Sequence, residues 1–403
     1  MNKEILVTID SLDRYRFFKR LIKPFSCLGY NTHFITSLTS VSLGEKKSSC
    51  FVTLCKKSTS KRNFDVKRSL EYCIGETDED LTNAVYSSFF EETQNIIKKH
   101  FIKVCIIWNG SRTETLGVSD ACKENKIPCV YLEISNIPER IFADPLGVNS
   151  HSALYQHPEI LDEIQTSEIE YKTWKESYIN SSFCRDIPKQ AILAHKIKIT
   201  YLLDFSFWLF KNIQPTISFQ ELFINTAKKF LPRKKYKPNT IDFNNTRYLF
   251  FPMQLSRDSQ ILFHSNFCNE SALKIAYNEA KSLGLDLVVK IHPAETNTNE
   301  FIMLEQFRKE NNILVSDDNS IQLIHYAQAL IVINSSIGLE ASILGKPPIK
   351  YLGKSIFSKL NDTRLKNFMM NYLIKIDYFE NENIPFDQAL KILERANFFS
   401  HKE

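Results

Sequence analysis

The sequence has no G-x-G-x-x-G after its first apolar run and no G-x-x-x-x-G-K-[ST] anywhere. Dinucleotide oxidoreductases and P-loop NTPases, whose glycines let a backbone approach a phosphate chain, are therefore poor candidates. There is no C-x-x-C pair either. The nine cysteines are odd in number and irregularly spaced, which speaks against a structural zinc site and for reduced core thiols of a cytosolic protein. No run approaches the ~18 apolar residues of a membrane span, and the start, "MNKEILVTIDSLDRYRFF", has no signal-peptide apolar region. The expectation is a protein that is cytoplasmic, or peripheral on the inner face of the inner membrane. Lys and Arg exceed Asp and Glu only as 51 to 46, too little for a nucleic-acid binder. An anionic small substrate or a membrane surface fits better.

What is present is alternation. At 403 residues with 43% hydrophobic side chains, two cores are the default. Short apolar runs alternate with amphipathic stretches, "EILVTI", "DRYRFFKRLIKPFSCLG", "NTHFITS", then "FIKVCIIWNG", "SDACKENKIP" and "CVYLEIS". A second series follows from Thr246, with "RYLFFPMQ", "LDLVVKIHP", "NILVS", "ALIVINSS" and "PIKYLG" as strands. Such βαβ alternation predicts an α/β protein of two Rossmann-like halves. The expected bounds are 1–190 for an acceptor-side domain and 246–375 for a nucleotide-sugar domain. A connecting segment, 191–245, lies between them, and a last helix, 376–403, crosses back to the first half. The connecting segment mixes aromatics around Phe205–Phe210 with a basic run in which six of the ten residues 228–237 are Lys or Arg. A solvated linker and a membrane-surface or acceptor-docking helix fit it equally.

Three strand ends of the second half are more polar than packing needs. They are "QLSRD" with Gln254, Arg257 and Asp258, "KIHP" with Lys290 and His292, and "INSSIGLEA" with Asn334, Ser335, Ser336, Gly338 and Glu340. Carboxyl ends of parallel strands open on one rim, so a single ligand can touch all three. The "NSSIG" turn enters a helix, where backbone N–H groups and serine hydroxyls suit a phosphate. Glu340 in its first turn accepts from ribose hydroxyls or merely complements the helix dipole. Lys290 and His292 suit a phosphate or carboxylate. Asp258 taken alone is a helix cap. In the first half, Asn109, Gly110 and Ser111 make a strand-to-helix turn, and Arg112 and Arg140 are placed to meet an anionic acceptor. Glu133 is the best general base or else a surface glutamate, and Asp144, in Asp-Pro-Leu-Gly, is a turn residue.

At "QLSRDSQILFHS", "LVVKIHP" and "ALIVINSSIGLEASILGKPPIKYLG", in that order, the sequence resembles the capsule polysaccharide synthesis family of Gram-negative bacteria. The likeness is to its KpsC/KpsS-type transferases of the ulosonic acid Kdo, the single-module KpsS type above all. Weaker likeness extends to "CIIWNGSR" and "YLEISNIPERIFADPLGVNSHS". The resemblance implies a GT-B fold with a cleft between two Rossmann-like domains. It also implies a retaining transfer of β-Kdo from CMP-Kdo to a lipid or glycan acceptor, without metal or other cofactor, in a capsule assembly setting at the inner membrane. It makes Asp258 the nucleophile, and has His292, Ser335 and Ser336 hold the phosphate of CMP. Two other readings stand beside it, a nucleotide-sugar epimerase or hydrolase on the same fold, and a non-catalytic nucleotide- or glycan-binding scaffold.

Overall fold

The computed structural model describes residues 3–44, 50–135, 137–182, 204, 208, 212–217 and 236–396. Its strands form two separate sheets. The first sheet contains β1 (Lys3–Ile9), β2 (Tyr30–Thr36), β3 (Cys50–Leu54), β4 (Phe101–Trp108), β5 (Cys129–Ile134) and β6 (Ile141–Asp144), in the spatial order β3-β2-β1-β4-β5-β6. All neighbours pair in parallel except β5 and β6. The second sheet is wholly parallel, with β7 (Tyr248–Pro252), β8 (Asp286–Lys290), β9 (Leu314–Val315), β10 (Ala329–Val332) and β11 (Ile349–Tyr351) in the order β11-β10-β7-β8-β9. Both orders start from a central first strand, run outwards, and restart on its other side. That is the doubly wound pattern, with switch points at β1/β4 and β7/β10, where such sheets bind ligands at their carboxyl ends.

The buried strands are continuous apolar runs because helices cover both faces. In the second sheet all five residues of β7 are buried, and Tyr248, Phe250 and Phe251 are fully so. Alternate residues feed two cores. Leu249, Phe251, Val289 and Ile331 pack on one side, and Tyr248, Phe250, Val288 and Val332 on the other. Full burial of such side chains contributes about 1.5–3 kcal/mol each. In the first sheet Ile5, Val7, Val104, Ile106 and Val130 share a core with Ile374, Ile376, Tyr378 and Ile392 from the end of the chain. Tyr378 stacks on Phe17 with centroids 5.3 Å apart, and Ile374 and Ile141 exchange backbone bonds of 2.9 and 3.0 Å.

The chain divides into compact units at other points than the sequence leads one to expect. The described residues of Met1–Gln156, Ile197–Lys229 and Tyr372–Glu403 form one unit, and those of His157–Lys196 and Phe230–Asn371 the other. The helix Glu168–Ser182, expected with the first half, thus belongs with the second. There Asp162 pairs with Arg364 at 2.6 Å, and Glu168 pairs with Lys366. The helix Phe386–Arg395 belongs with the first unit, burying Ala389 and Ile392. Most of the aromatic and basic connecting segment lies outside the described residues, as does Cys184. Of its aromatic stretch, Trp208 is buried and donates its indole N–H to Ser37 O at 2.9 Å, and Asp204 accepts from Ser40 N and Oγ at 2.7 and 2.8 Å. Trp208 is therefore core of the first unit and not an exposed membrane anchor. The first amphipathic stretch is two helices, Leu12–Lys19 and Ile22–Cys27.

Candidate functional site

The second unit builds its rim from three loops. The chain leaves β7 at Met253 and Gln254, turns through Leu255–Arg257, and enters the helix Ser259–His264 with Asp258 as N-cap. The capping bond runs from Gln260 N to Asp258 Oδ1 at 3.0 Å, and Ser259 Oγ donates to the same oxygen at 3.4 Å. Oδ2 takes part in neither bond. Asp258 is thus a helix cap, as the sequence allows, with one carboxylate oxygen left over from that task. Burial pushes its pKa up, against the pull of the Gln260 N–H, of His292 and of the Ser259 hydroxyl. Loss of water around a carboxylate makes it more basic and more nucleophilic.

Across the β7/β10 switch point, Gln254 and Asn334 clasp each other. Gln254 Nε2 donates to Asn334 Oδ1 and Asn334 N donates to Gln254 Oε1, both at 2.9 Å. Asn334 Nδ2 reaches Gln260 O at 2.6 Å, tying the β10 loop to the helix that Asp258 caps. Both amides are buried, so they hold the rim together and are not presented to a ligand.

His292 follows β8 and is exposed. Ala294 N donates to its Nδ1 at 3.1 Å, which places the proton of a neutral ring on Nε2. Partial loss of water around the ring lowers its pKa, while Asp258 and Glu295 raise it and Lys290 lowers it further. Lys290 itself is engaged elsewhere. Its ammonium donates to Asp318 O at 2.6 Å and Ser320 Oγ at 3.0 Å, and burial lowers its pKa. The expected Lys290–His292 phosphate pair is accordingly reduced to His292 alone.

After β10, Ser335 Oγ accepts from Ile337 N at 3.2 Å, whereas Ser336, N-cap of the helix Ile337–Leu344, makes no side-chain cap bond. Glu340 is half-buried in the first turn of that helix. Gly338 has a steric reason rather than a ligand-binding one, since a Cβ there would lie 2.3 Å from Tyr351 Oη. Arg257 is exposed beside Asp258.

Sequence reasoning misses the residue that joins these loops. Glu295 is 3% exposed, and its carboxylate accepts from Ser256 N at 2.8 Å on Oε2 and from Thr296 N and Asn297 N at 2.8 and 2.7 Å on Oε1. Its own N–H donates to His292 O at 2.9 Å. The His292 loop and the Asp258 loop therefore share one buried anion. The signal was a carboxylate three residues after His292, in "HPAE".

The first unit has a comparable rim. Asn109 and Gly110 turn with φ of 56° and 86°, and a Cβ on Gly110 would lie 2.8 Å from the Tyr131 ring, so this turn needs glycine. Ser111 Oγ donates to Asn109 Oδ1 at 2.6 Å, and Asn109 Nδ2 donates to Glu133 Oε1 at 2.8 Å. Glu133 is half-buried at the end of this relay. The two arginines are not placed as expected. Arg140 is buried, which lowers its pKa. Arg112 lies with Nε 3.0 Å from Glu114, 3.2 Å from Glu71 and 3.6 Å from Asp10, three carboxylates that outweigh its charge. Burial drives the pKa of Glu114 up to about 7 in spite of Arg112, with Glu71 and Asp10 adding repulsion. Asp144 is more than a turn residue. Its fully buried carboxylate accepts from the N–H groups of Leu146, Ala153 and Leu154 at 2.9–3.1 Å and from Tyr372 Oη at 3.1 Å. The sequence also holds one Asp-x-Asp, Asp78–Asp80, which the expectation of metal-free transfer leaves out of account. Asp78 there caps the helix Glu79–Lys99 by accepting from Leu81 N at 2.8 Å.

Residues 103–368, more than half of the chain, match the family model described as "Capsule polysaccharide biosynthesis protein". The chain belongs to that capsule polysaccharide biosynthesis family. The family match takes in the whole rim of the second unit and, in the first, the stretch from Asn109 to Arg140. Among curated proteins, the "Capsule polysaccharide export protein KpsS" of Escherichia coli is 27% identical over 148 residues, 34% of this chain. The alignment spans only 36% of that protein's length. Among solved structures, the Thermosulfurimonas dismutans KpsC β-Kdo 2,7 transferase has a TM-score of 0.43 at 15% identity, with 98% of this chain and 99% of that chain covered. The β-Kdo 2,4 transferase of the same organism's KpsC has a TM-score of 0.42 at 13% identity, with 76% and 94% covered.

Proposed function

We propose that this member of the capsule biosynthesis family is a retaining glycosyltransferase of GT-B type. It moves β-Kdo from CMP-Kdo to a lipid or glycan acceptor in capsule or surface polysaccharide synthesis. The observation that carries the reading is Asp258, a carboxylate at the carboxyl end of β7, beside the switch point, desolvated and with His292 within electrostatic reach.

In the proposed first step a carboxylate oxygen of Asp258 bonds to the anomeric carbon as the bond from that carbon to the phosphate oxygen breaks, and the electron pair leaves on CMP. His292 and the Ser335 and Ser336 hydroxyls meet the growing phosphate charge. In the second step an acceptor hydroxyl attacks the same carbon from the face that CMP left. Its proton goes to a base, and the Asp258 carboxylate is released. Two inversions give net retention. Neither step calls for a divalent ion.

The test is Asp258→Asn. The amide keeps the shape, and can still accept from Gln260 N, but has no nucleophilic charge. The variant is expected to fold, bind CMP and lose nearly all transfer, measured by mass spectrometry of products from CMP-Kdo and a panel of lipid and glycan acceptors. Intact-mass analysis of the wild type with donor alone should find a Kdo-sized adduct on the peptide containing Asp258. Transfer by Asp258→Asn near the wild-type rate would reduce Asp258 to its capping role.

A further inference from the structure

In the first sheet, Glu4, near the amino end of β1, lies between a histidine from the middle of β2 and one just before β4. His33 of β2 places Nδ1 3.0 Å from Glu4 Oε2, and His100, which immediately precedes β4, places Nδ1 3.1 Å from Glu4 Oε1. One ligand atom from each of the three residues lies within 4.8 Å of the other two. Glu4 and His33 are buried, whereas the His100 side chain is 30% exposed. The two imidazoles meet edge to face with centroids 4.7 Å apart, and Phe51 packs about both rings.

We propose that Glu4, His33 and His100 form a binding site for a divalent transition-metal ion of the zinc type. Two nitrogens and a carboxylate oxygen are a ligand set of borderline hardness that suits Zn²⁺ and Co²⁺ and is too poor in oxygen for Ca²⁺ or Mg²⁺. Ligands 2.0–2.1 Å from a tetrahedral zinc are about 3.3 Å from one another; the two rings bond different oxygens of the carboxylate, at 3.0 and 3.1 Å, so binding one ion turns the carboxylate between them or engages both of its oxygens, within a set whose ligand atoms already lie inside 4.8 Å. The proton balance closes within the site. Each neutral ring moves its proton from Nδ1 to Nε2, which frees both Nδ1 lone pairs for the ion. His33 Nε2 already lies 2.8 Å from Thr53 Oγ1, the kind of acceptor that fixes this tautomer in metal-binding histidines. The partly exposed His100 side gives the ion its entry and a water its place as fourth ligand. An ion here would tie β1, β2 and the start of β4 together, which is a structural role and not one in transfer at the rim.

The experiment uses the untagged full chain, stripped with chelator and dialysed, and titrated with Zn²⁺ by calorimetry and with Co²⁺ by visible absorption. The expected result is one ion per chain and an intense, tetrahedral Co²⁺ band. Thr53→Val, which leaves all three ligands in place, should weaken binding about tenfold. His100→Ala and Glu4→Gln should abolish the stoichiometric binding and the band. His100 is partly exposed, so its variant is expected to fold, and circular dichroism checks this. The proposal is overturned if the wild type binds no ion stoichiometrically at micromolar concentrations, or if His100→Ala binds Zn²⁺ as the wild type does.

Discussion

Replacing Glu295 with glutamine tests the claim that one buried anion holds the Asp258 and His292 loops together. The carboxylate accepts three backbone N–H bonds, two on Oε1 and one on Oε2. A glutamine has only one oxygen to offer. With that oxygen on Thr296 N and Asn297 N, its NH₂ faces the N–H of Ser256, donor against donor. The bond lost is a charge-assisted one, worth about 1.5–3 kcal/mol. That free energy falls on the local opening that exposes Ser256 N to solvent, so hydrogen exchange there should quicken about 10- to 150-fold. Exchange mass spectrometry of the peptide spanning Gln254–Asp258 reads this without reference to any substrate. The urea midpoint of the second unit should fall as well, with an unchanged slope. If transfer is measurable, kcat should drop more than the KM for donor rises, because a loosened Ser256 displaces Asp258 and leaves the phosphate groups where they were. Unchanged exchange at Ser256 in Glu295→Gln would refute the reasoning, whatever the activity.

Three further outcomes follow from the same geometry. His292→Ala should weaken donor handling by about 1.5–3 kcal/mol, the worth of a charge-assisted bond to phosphate, while still yielding the Asp258 adduct slowly; abolition of CMP binding together with the adduct would mean that the ring has a structural role. Transfer, assayed well below the melting temperature, should survive EDTA, and activity restored only by Mg²⁺ or Mn²⁺ would count against the phosphate-holding role given to His292 and Ser335–Ser336. Glu114, raised from 4.5 to about 7 by burial, holds its proton more tightly folded than unfolded, so its contribution is fully present below about pH 4.5 and is lost as pH rises through 7. Wild-type stability should fall across that window by on the order of 3 kcal/mol, and Glu114→Gln should flatten the slope in urea denaturation run at several pH values; an equal slope in both proteins would remove Glu114 from the account.

Much of the fold was legible because parallel strands covered on both faces must be continuous apolar runs. "EILVTI", "KVCIIW", "YLFFP" and "LVVK" appear as buried strands almost as written. The convergence of Gln254, His292 and Asn334 was legible for a related reason, since polar residues at carboxyl strand ends have one rim to share. What could not be read is which polar group each side chain chooses. Arg112 looks like an available cation until Glu71, forty-one residues earlier in the sequence, is folded against it. Lys290 likewise finds its partners, Asp318 and Ser320, in the loop and helix start that follow a strand of only two residues. The division of the chain was hidden too, because the helix Glu168–Ser182 carries a weakly patterned sequence, and its place in the second unit shows only once Glu168 is folded against Lys366 and the preceding Asp162 against Arg364.

The clasp between Gln254 and Asn334 bears on how this rim is inherited. The Gln254 amide donates to Asn334 Oδ1 and accepts from the Asn334 backbone N–H, the Asn334 amide donates on to Gln260 O, and both side chains are shut away from water. An acid at either position would set oxygen against oxygen, or leave an N–H with nothing to meet. Neither position therefore drifts alone. The two residues, eighty apart in the sequence, form a single heritable character, and a lineage that alters one is under immediate pressure to alter the other, a coupling that the exposed Arg257 between that clasp and Asp258 does not share.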